Sequence, residues 1–387
     1  MTRSTPIKFL ARGVSRSLRR LRSGSQTTAR EVHALQHEPS LFAMGLVRRT
    51  ALAAAGAALL IGVSAGPASA TQGKRHGDNG SYVETPVVSD QPGVAPVTDS
   101  NLVNPWGIAF GPTTPLWVAN NGTSTSTLYS TNPAAAKQPL VVTTQPGPTG
   151  TVFNDTTEFA LPDGTASKFL FASVSGQLSA WGGGTQTTTT ASVSGTAFTG
   201  LALARTNDGA RLYAADAEST NVLVYNGKWQ LDAILKDPKL PQGLTTYNVA
   251  VIGKKIYVSY APAPGVESSV HGAIDVFDFN GQLERRLVTG GVLNGPWGMV
   301  VAPHTWGRFA DALLVGNEDG GQINAFNPRS GRFLGTVKDS HGQPVGQDGL
   351  WGMAFGNDVI GTPNDLVIAI GADGYKHGLV ALVHPTP

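Results

Sequence analysis

There is no cysteine anywhere in the 387 residues. Neither disulfides nor thiolate metal sites can hold such a chain together, so a packed core closed on itself has to suffice. Charge is sparse, at 14% of residues, and its small positive excess is local. Positions 1–70 hold ten Lys or Arg and two acids; taken from the totals of 28 and 26, they leave 18 basic and 24 acidic residues, about −6 net. A negative remainder gives no footing for nucleic-acid binding. No long apolar helical period follows residue 70, which excludes a helical bundle. Several chemistries lack their signatures past that point as well. There is no Gly-x-Ser-x-Gly elbow, no His-Glu-x-x-His helix and no Gly-x-x-x-x-Gly-Lys loop. His271, His304, His341 and His377 are scattered without paired spacing, and Gly182-Gly183-Gly184 reads as a turn.

What the chain does have is glycine (48), proline (25) and many Thr, Val and Ser, with 41% hydrophobic residues. That mixture suits short strands separated by turns. One phrase organises it. Asn104-Pro105-Trp106-Gly107-Ile108-Ala109-Phe110 returns as Asn294-Gly295-Pro296-Trp297-Gly298-Met299-Val300 and as Asp348-Gly349-Leu350-Trp351-Gly352-Met353-Ala354-Phe355. Looser echoes stand at Thr199-Gly200-Leu201, at Asn248-Val249-Ala250 and, most weakly, at Asn154-Asp155-Thr156-Thr157-Glu158-Phe159. The steps between them, roughly 45 to 55 residues, fit four-stranded propeller blades.

The expected fold is therefore all-β, a six-bladed β-propeller over residues 81–387. The final blade offers Trp351 to Phe355, Asp365 to Ile370 and Gly378 to Val383 and then lacks a strand, whereas Tyr82 to Val88 is a strand without a blade. Pairing the two closes the ring and removes exposed strand edges. Ahead of the blades, Arg48-Arg49, the apolar run Ala51 to Gly66 and Ala68-Ser69-Ala70 form the zones of a signal peptide over 44–70, cleaved after Ala70 for Sec or Tat export. Residues 1–43 are a disordered leader or reflect a start at Met44, and 71–80 is a polar linker. An uncleaved anchor is the alternative for the apolar run. The mature protein is expected to be a secreted monomer with no membrane span and no nucleic-acid partner.

The Asn-Pro-Trp-Gly-Ile-Ala-Phe phrase, followed by Leu116-Trp117-Val118-Ala119-Asn120, resembles the opening of NHL-type propeller repeats. From about Asn101 onward the chain looks like a family of exported bacterial propeller proteins that carry this phrase, a likeness that supplies no catalytic residues. More distantly it is similar in fold to gluconolactonase and senescence-marker-type lactonases. That likeness implies a divalent cation in the central channel.

Strands alternate in direction outward from a propeller axis, so inner-strand starts and the turns between second and third strands share one face. On this reasoning Asn104, Asn154 with Asp155, Asn248, Asn294 and Asp348 ring the channel mouth, joined by Asn120, Asn121, Asp216, Glu218, Asn317, Glu318, Asp319, Asp373 and His377. Such oxygens suit Ca2+ or Mg2+, with Asn104, Asp155, Asn248, Asn294 and Asp348 as ligands; equally, Asn and Asp before strands cap turns. Trp106, Trp297 and Trp351 offer either a platform for a sugar ring or packing between blades. Two functions follow. One is a binding protein that recognises a ligand, protein or carbohydrate partner on this face; the other is a metal-dependent hydrolase with Asp155, Glu158 or Asp348 as general base.

Overall fold

The computed structural model describes residues 80–386; the leader, the signal peptide and nearly all of the linker lie outside the described residues. Six sheets are arranged as a β-propeller. Blade one comprises β3 (Pro105–Ala109), β4 (Leu116–Asn120), β5 (Thr125–Ser130) and β6 (Ala136–Thr143). Blades two to five are β7–β10 (148–192), β11–β14 (198–236), β15–β18 (244–289) and β19–β22 (296–336). Each lies in chain order from inner to outer strand.

Blade six is assembled from both ends of the described chain. Its strands β23 (Leu350–Phe355), β24 (Leu366–Ile370) and β25 (Leu379–Pro385) are completed by β1 (Tyr82–Ser89), which runs antiparallel to β25 from Tyr82 opposite Pro385 to Ser89 opposite Leu379. A short β2 (Val97–Thr98) adds a fifth strand, parallel to β1. The expected closure is thus observed.

Burial grades along each blade. The second strands Leu116–Asn120, Phe169–Ser173, Leu313–Asn317 and Leu366–Ile370 are buried at every position, because neighbouring blades cover both their faces. Outer strands such as Thr188–Ser192 and Leu231–Lys236 are largely exposed. The sequence follows this gradient, from unbroken apolar runs near the axis to threonine and charge at the rim.

One column of the repeat explains how the ring is pulled tight. Inner strands carry Gly107, Gly150, Gly200, Gly298 and Gly352 at the same offset, and a register shift falls beside each one. A Cβ on Gly107 would lie 2.4 Å from the Thr149 carbonyl oxygen, one on Gly150 2.4 Å from the Leu201 nitrogen, and one on Gly352 2.6 Å from the Trp106 carbonyl oxygen. Each glycine therefore meets the inner strand of the next blade, and Gly352 of the last blade meets the first. Only a residue without a side chain allows that approach. Blade four is the exception: Asn248 stands in the glycine position and donates from Nδ2 to the Trp297 carbonyl at 2.7 Å.

Candidate functional site

The propeller has an upper face, where inner strands begin, and a lower face, where they end. The residue before each column glycine turns toward the axis near the upper face. Here Trp106, Trp297, Trp351 and Tyr247 form one buried cluster. Trp106 and Trp351 stack with ring centroids 3.7 Å apart, and Trp297 meets both edge-on at 6.2 and 5.9 Å. Trp106 is 1% exposed and Trp351 fully buried. These tryptophans fill the axis and offer no face to a sugar.

Above them Tyr375 packs on Trp351 at 6.0 Å, from a short turn, α1 (Ala372–Tyr375), in which Asp373, Gly374 and Tyr375 all have positive φ. Glu318 is fully buried beside the cluster and accepts hydrogen bonds from the Tyr375 and Tyr247 hydroxyls. The upper end of the axis is closed by side chains bonded to one another.

The ring of amides and carboxylates expected at this mouth does not assemble there. Asn104 accepts from Trp351 Nε1 at 3.2 Å and donates to Asn121 at 3.3 Å; Asn294 donates to the Asp319 carbonyl at 3.2 Å; Asp348 accepts the Gly320 N–H at 2.6 Å. These three do share the upper face with the turns of Asn121, Asn317, Glu318 and Asp319, as the alternation of strands requires. Asn248 lies within the wall. Asn154 and Asp155 follow the end of β7 (Pro148–Phe153) and so belong to the lower face. The true phrase of blade two is Pro148-Thr149-Gly150-Thr151, hidden in the sequence because Thr149 replaces the tryptophan. Asn154 folds its own turn, accepting from Thr156 N and Oγ1 at 3.0 and 2.7 Å and donating to Ser167 Oγ at 2.9 Å.

With its members on two faces, this set does not fit one coordination sphere for calcium or magnesium. Among the described residues no three His, Asp or Glu side chains are grouped as a metal ion would require. The general-base candidates are likewise dispersed. Asp155 pairs with Arg205 at 3.0 Å, Glu158 accepts the Ala210 N–H at 2.7 Å, and Asp348 stands on the other face.

The opening is below. A funnel of about 470 Å3 descends the axis from the lower face, walled by all six inner strands, including Ile108, Thr151, Leu201, Val249, Met299 and Met353. Trp297, Asn248 and the glycines Gly107, Gly150, Gly298 and Gly352 also line it. Among the described residues that line it, Asp155 at the mouth is the only ionisable one. The Thr151 hydroxyl is buried without a hydrogen-bond partner, as are Trp106 Nε1 and Thr199 Oγ1 nearer the upper face. Sequence reading missed this site because its wall is strand backbone and small apolar side chains, none of which forms a motif; the glycine column was its only trace.

The fold and this site define a six-bladed propeller, plugged at one end of its axis and open at the other. The uncharacterised protein R648 of Acanthamoeba polyphaga mimivirus is 32% identical over 296 residues, covering 69% of this chain and 72% of its own length. The chain belongs to the family of that protein. A second uncharacterised protein of the same virus, L690, is 28% identical over 69% of this chain and 77% of its own. Among solved structures the WD40 β-propeller domain of Doa1 is similar over 77% of this chain and 96% of its own, at 10% identity and a TM-score of 0.46. No protein-family model matches the chain. The relatives are viral, where the sequence likeness had pointed to exported bacterial proteins.

Proposed function

We propose that the chain is an exported binding protein that takes an uncharged group with an apolar part into the axial funnel on its lower face. The funnel carries the reading. It is the place where the closed ring leaves room, and its wall is free of charge below Asp155. Its wall combines small apolar side chains with polar strand backbone, and a concave site that joins apolar surface to a few directed hydrogen-bonding groups is the ordinary form of a ligand site. The upper face, first in line on sequence grounds, is filled by the Trp106–Trp297–Trp351 cluster. The hydrolase alternative loses support, since its carboxylates are dispersed and bonded.

The test uses N-phenyl-1-naphthylamine, a neutral apolar fluorophore. Saturable fluorescence enhancement is expected with the native chain and is expected to vanish in Ala354→Trp and in Ala109→Trp, both of which narrow the funnel, at unchanged circular dichroism. Enhancement that survives both substitutions, or no enhancement at all, overturns the proposal. Export rests on the leader, and amino-terminal sequencing of secreted protein is expected to begin at Thr71.

A further inference from the structure

The funnel does not end at its rim. Asp155, Leu203 and Val251 line both the funnel and a second depression of about 510 Å3, bounded by the hairpin turns of blades three and four. Thr206, Asp208, Phe279 and Asn280 in turn line both that depression and a third of about 280 Å3, which reaches Asp232 and Ala233 on the outer strand of blade three. The three form one groove running from the axis across blades three and four to the edge of the disc.

Charge changes along it. The axial end is neutral. Across the middle, the Arg205–Asp155 pair lies exposed, with side chains 62% and 53% accessible. Beyond it Asp208, on the turn between β11 and β12, and Lys254, on the turn between β15 and β16, both line the depression. Both are exposed, and among the described residues neither has a salt-bridge partner. One wall thus presents an acid and the other a base. At the outer end the carboxylate of Asp232 is already held by Arg211 at 2.8 Å.

Resting on the funnel reading, we infer that the ligand is an extended polypeptide segment lying along this groove. It places one large apolar side chain in the funnel, a basic side chain against Asp208 and an acidic one against Lys254. A chain, not a compact molecule, matches a groove this long. A peptide, not a neutral glycan, matches walls of opposite charge, because its basic and acidic side chains pair with one wall each, whereas sugar hydroxyls bond to a carboxylate and an ammonium alike. Sugars also stack on open tryptophan faces, and the one tryptophan among the residues that line the groove, Trp297, is buried. Both unpaired charges are solvated when the groove is empty, so pairing them with a ligand selects sequence more than it adds affinity.

The probe is a pool of fluorescein-labelled heptapeptides with a central phenylalanine flanked by one lysine and one glutamate, read by fluorescence polarisation against the full chain. Saturable binding is expected, weakened by roughly two- to tenfold when serine replaces both charged residues. The double variant Asp208→Lys with Lys254→Asp is expected to lose the original pool and to gain peptides with lysine and glutamate exchanged. Ala354→Trp is expected to abolish all of it. Because both charges sit on exposed turns, circular dichroism of the double variant should match the native chain. Peptide binding indifferent to the charges, or binding of neutral cello-oligosaccharides in place of peptides, overturns the inference. If N-phenyl-1-naphthylamine still binds while no peptide does, the extended ligand is excluded and the funnel stands; if neither binds, both readings fall.

Discussion

Trp106 of the first blade and Trp351 of the last lie face to face across the seam where the ring closes, their centroids 3.7 Å apart and their planes 15° from parallel. The chain between them contains every other blade, so this contact forms only when all six are in place. At the outer end of the same closing blade, β1 pairs with β25. The seam is therefore held at the axis by aromatic stacking and at the rim by a strand ladder.

Trp351→Ala is expected to destabilise the protein by about 3–5 kcal/mol, the usual cost of emptying a large buried aromatic site. Trp351→Phe, which keeps the stack and loses the hydrogen bond to Asn104, should cost less. Denaturant midpoints compare the two.

The glycine column gives a paired expectation. Gly107→Ala sets a methyl 2.4 Å from the Thr149 carbonyl oxygen, a backbone atom that cannot swing away. The cost should be about 1–3 kcal/mol, as for other overpacked sites. Gly183→Ala meets nothing within 4 Å and is expected to change stability by less than about 0.5 kcal/mol. Equal effects at the two positions would show that close approach of the blades is not what holds glycine in the column.

Asn248 substitutes a hydrogen bond for that approach. Asn248→Ala leaves the Trp297 carbonyl without its donor, for an expected loss of about 1–3 kcal/mol. Asn248→Asp should cost more, since a carboxylate would then face a carbonyl oxygen. Thermal melting at neutral pH ranks them.

Glu318 depends on two phenols from different blades. Tyr247→Phe and Tyr375→Phe should each cost about 1–3 kcal/mol, because each withdraws a donor from a buried carboxylate. The double variant is expected to depart from additivity, as groups sharing one partner do. A double-mutant cycle measures the departure.

Two buried aspartates should tilt stability against pH in opposite senses. Burial pushes Asp275 up to about 7, the hydrogen bond with Tyr260 offsetting it only in part, although Arg286 lies 3.2 Å away. Its folded value exceeds the ordinary 3.8, so the folded state holds the proton more tightly. The stability this gives is fully present below about 4 and is lost as pH rises through about 7. For Asp99 burial also raises the value but is outweighed by Lys137, Asn101 and Tyr129, which leave it lowered. Its contribution is present above 3.8 and lost as pH falls below that. Asp275→Asn is expected to flatten the decline in stability between pH 4 and 7, read from denaturant midpoints at each pH, while leaving the acid limb intact.

Much of the fold was legible because a propeller repeats its instructions. The phrase around Trp106, Trp297 and Trp351 marks three inner strands outright, and the surplus strand at Tyr82 finds its place by arithmetic alone. Blade two was harder. With Thr149 in place of tryptophan the phrase vanishes, and the next amide downstream, Asn154, resembles a strand start although it follows a strand end. That shift of six residues carried Asp155 from the upper face to the lower, since one strand's length separates the two.

The chain's own residues determined the ring of six blades, most of their turns and the closure by the strand at Tyr82. These depend on local preference and on a phrase repeated at blade-length intervals, both written along the sequence. Which end of the axis stays open was decided only by tertiary structure. Three tryptophans and a tyrosine from four blades meet at one point, and the void they leave beneath them belongs to no single blade. A space bounded by six strands at once has no local code, because its shape depends on how closely each glycine lets the next blade approach.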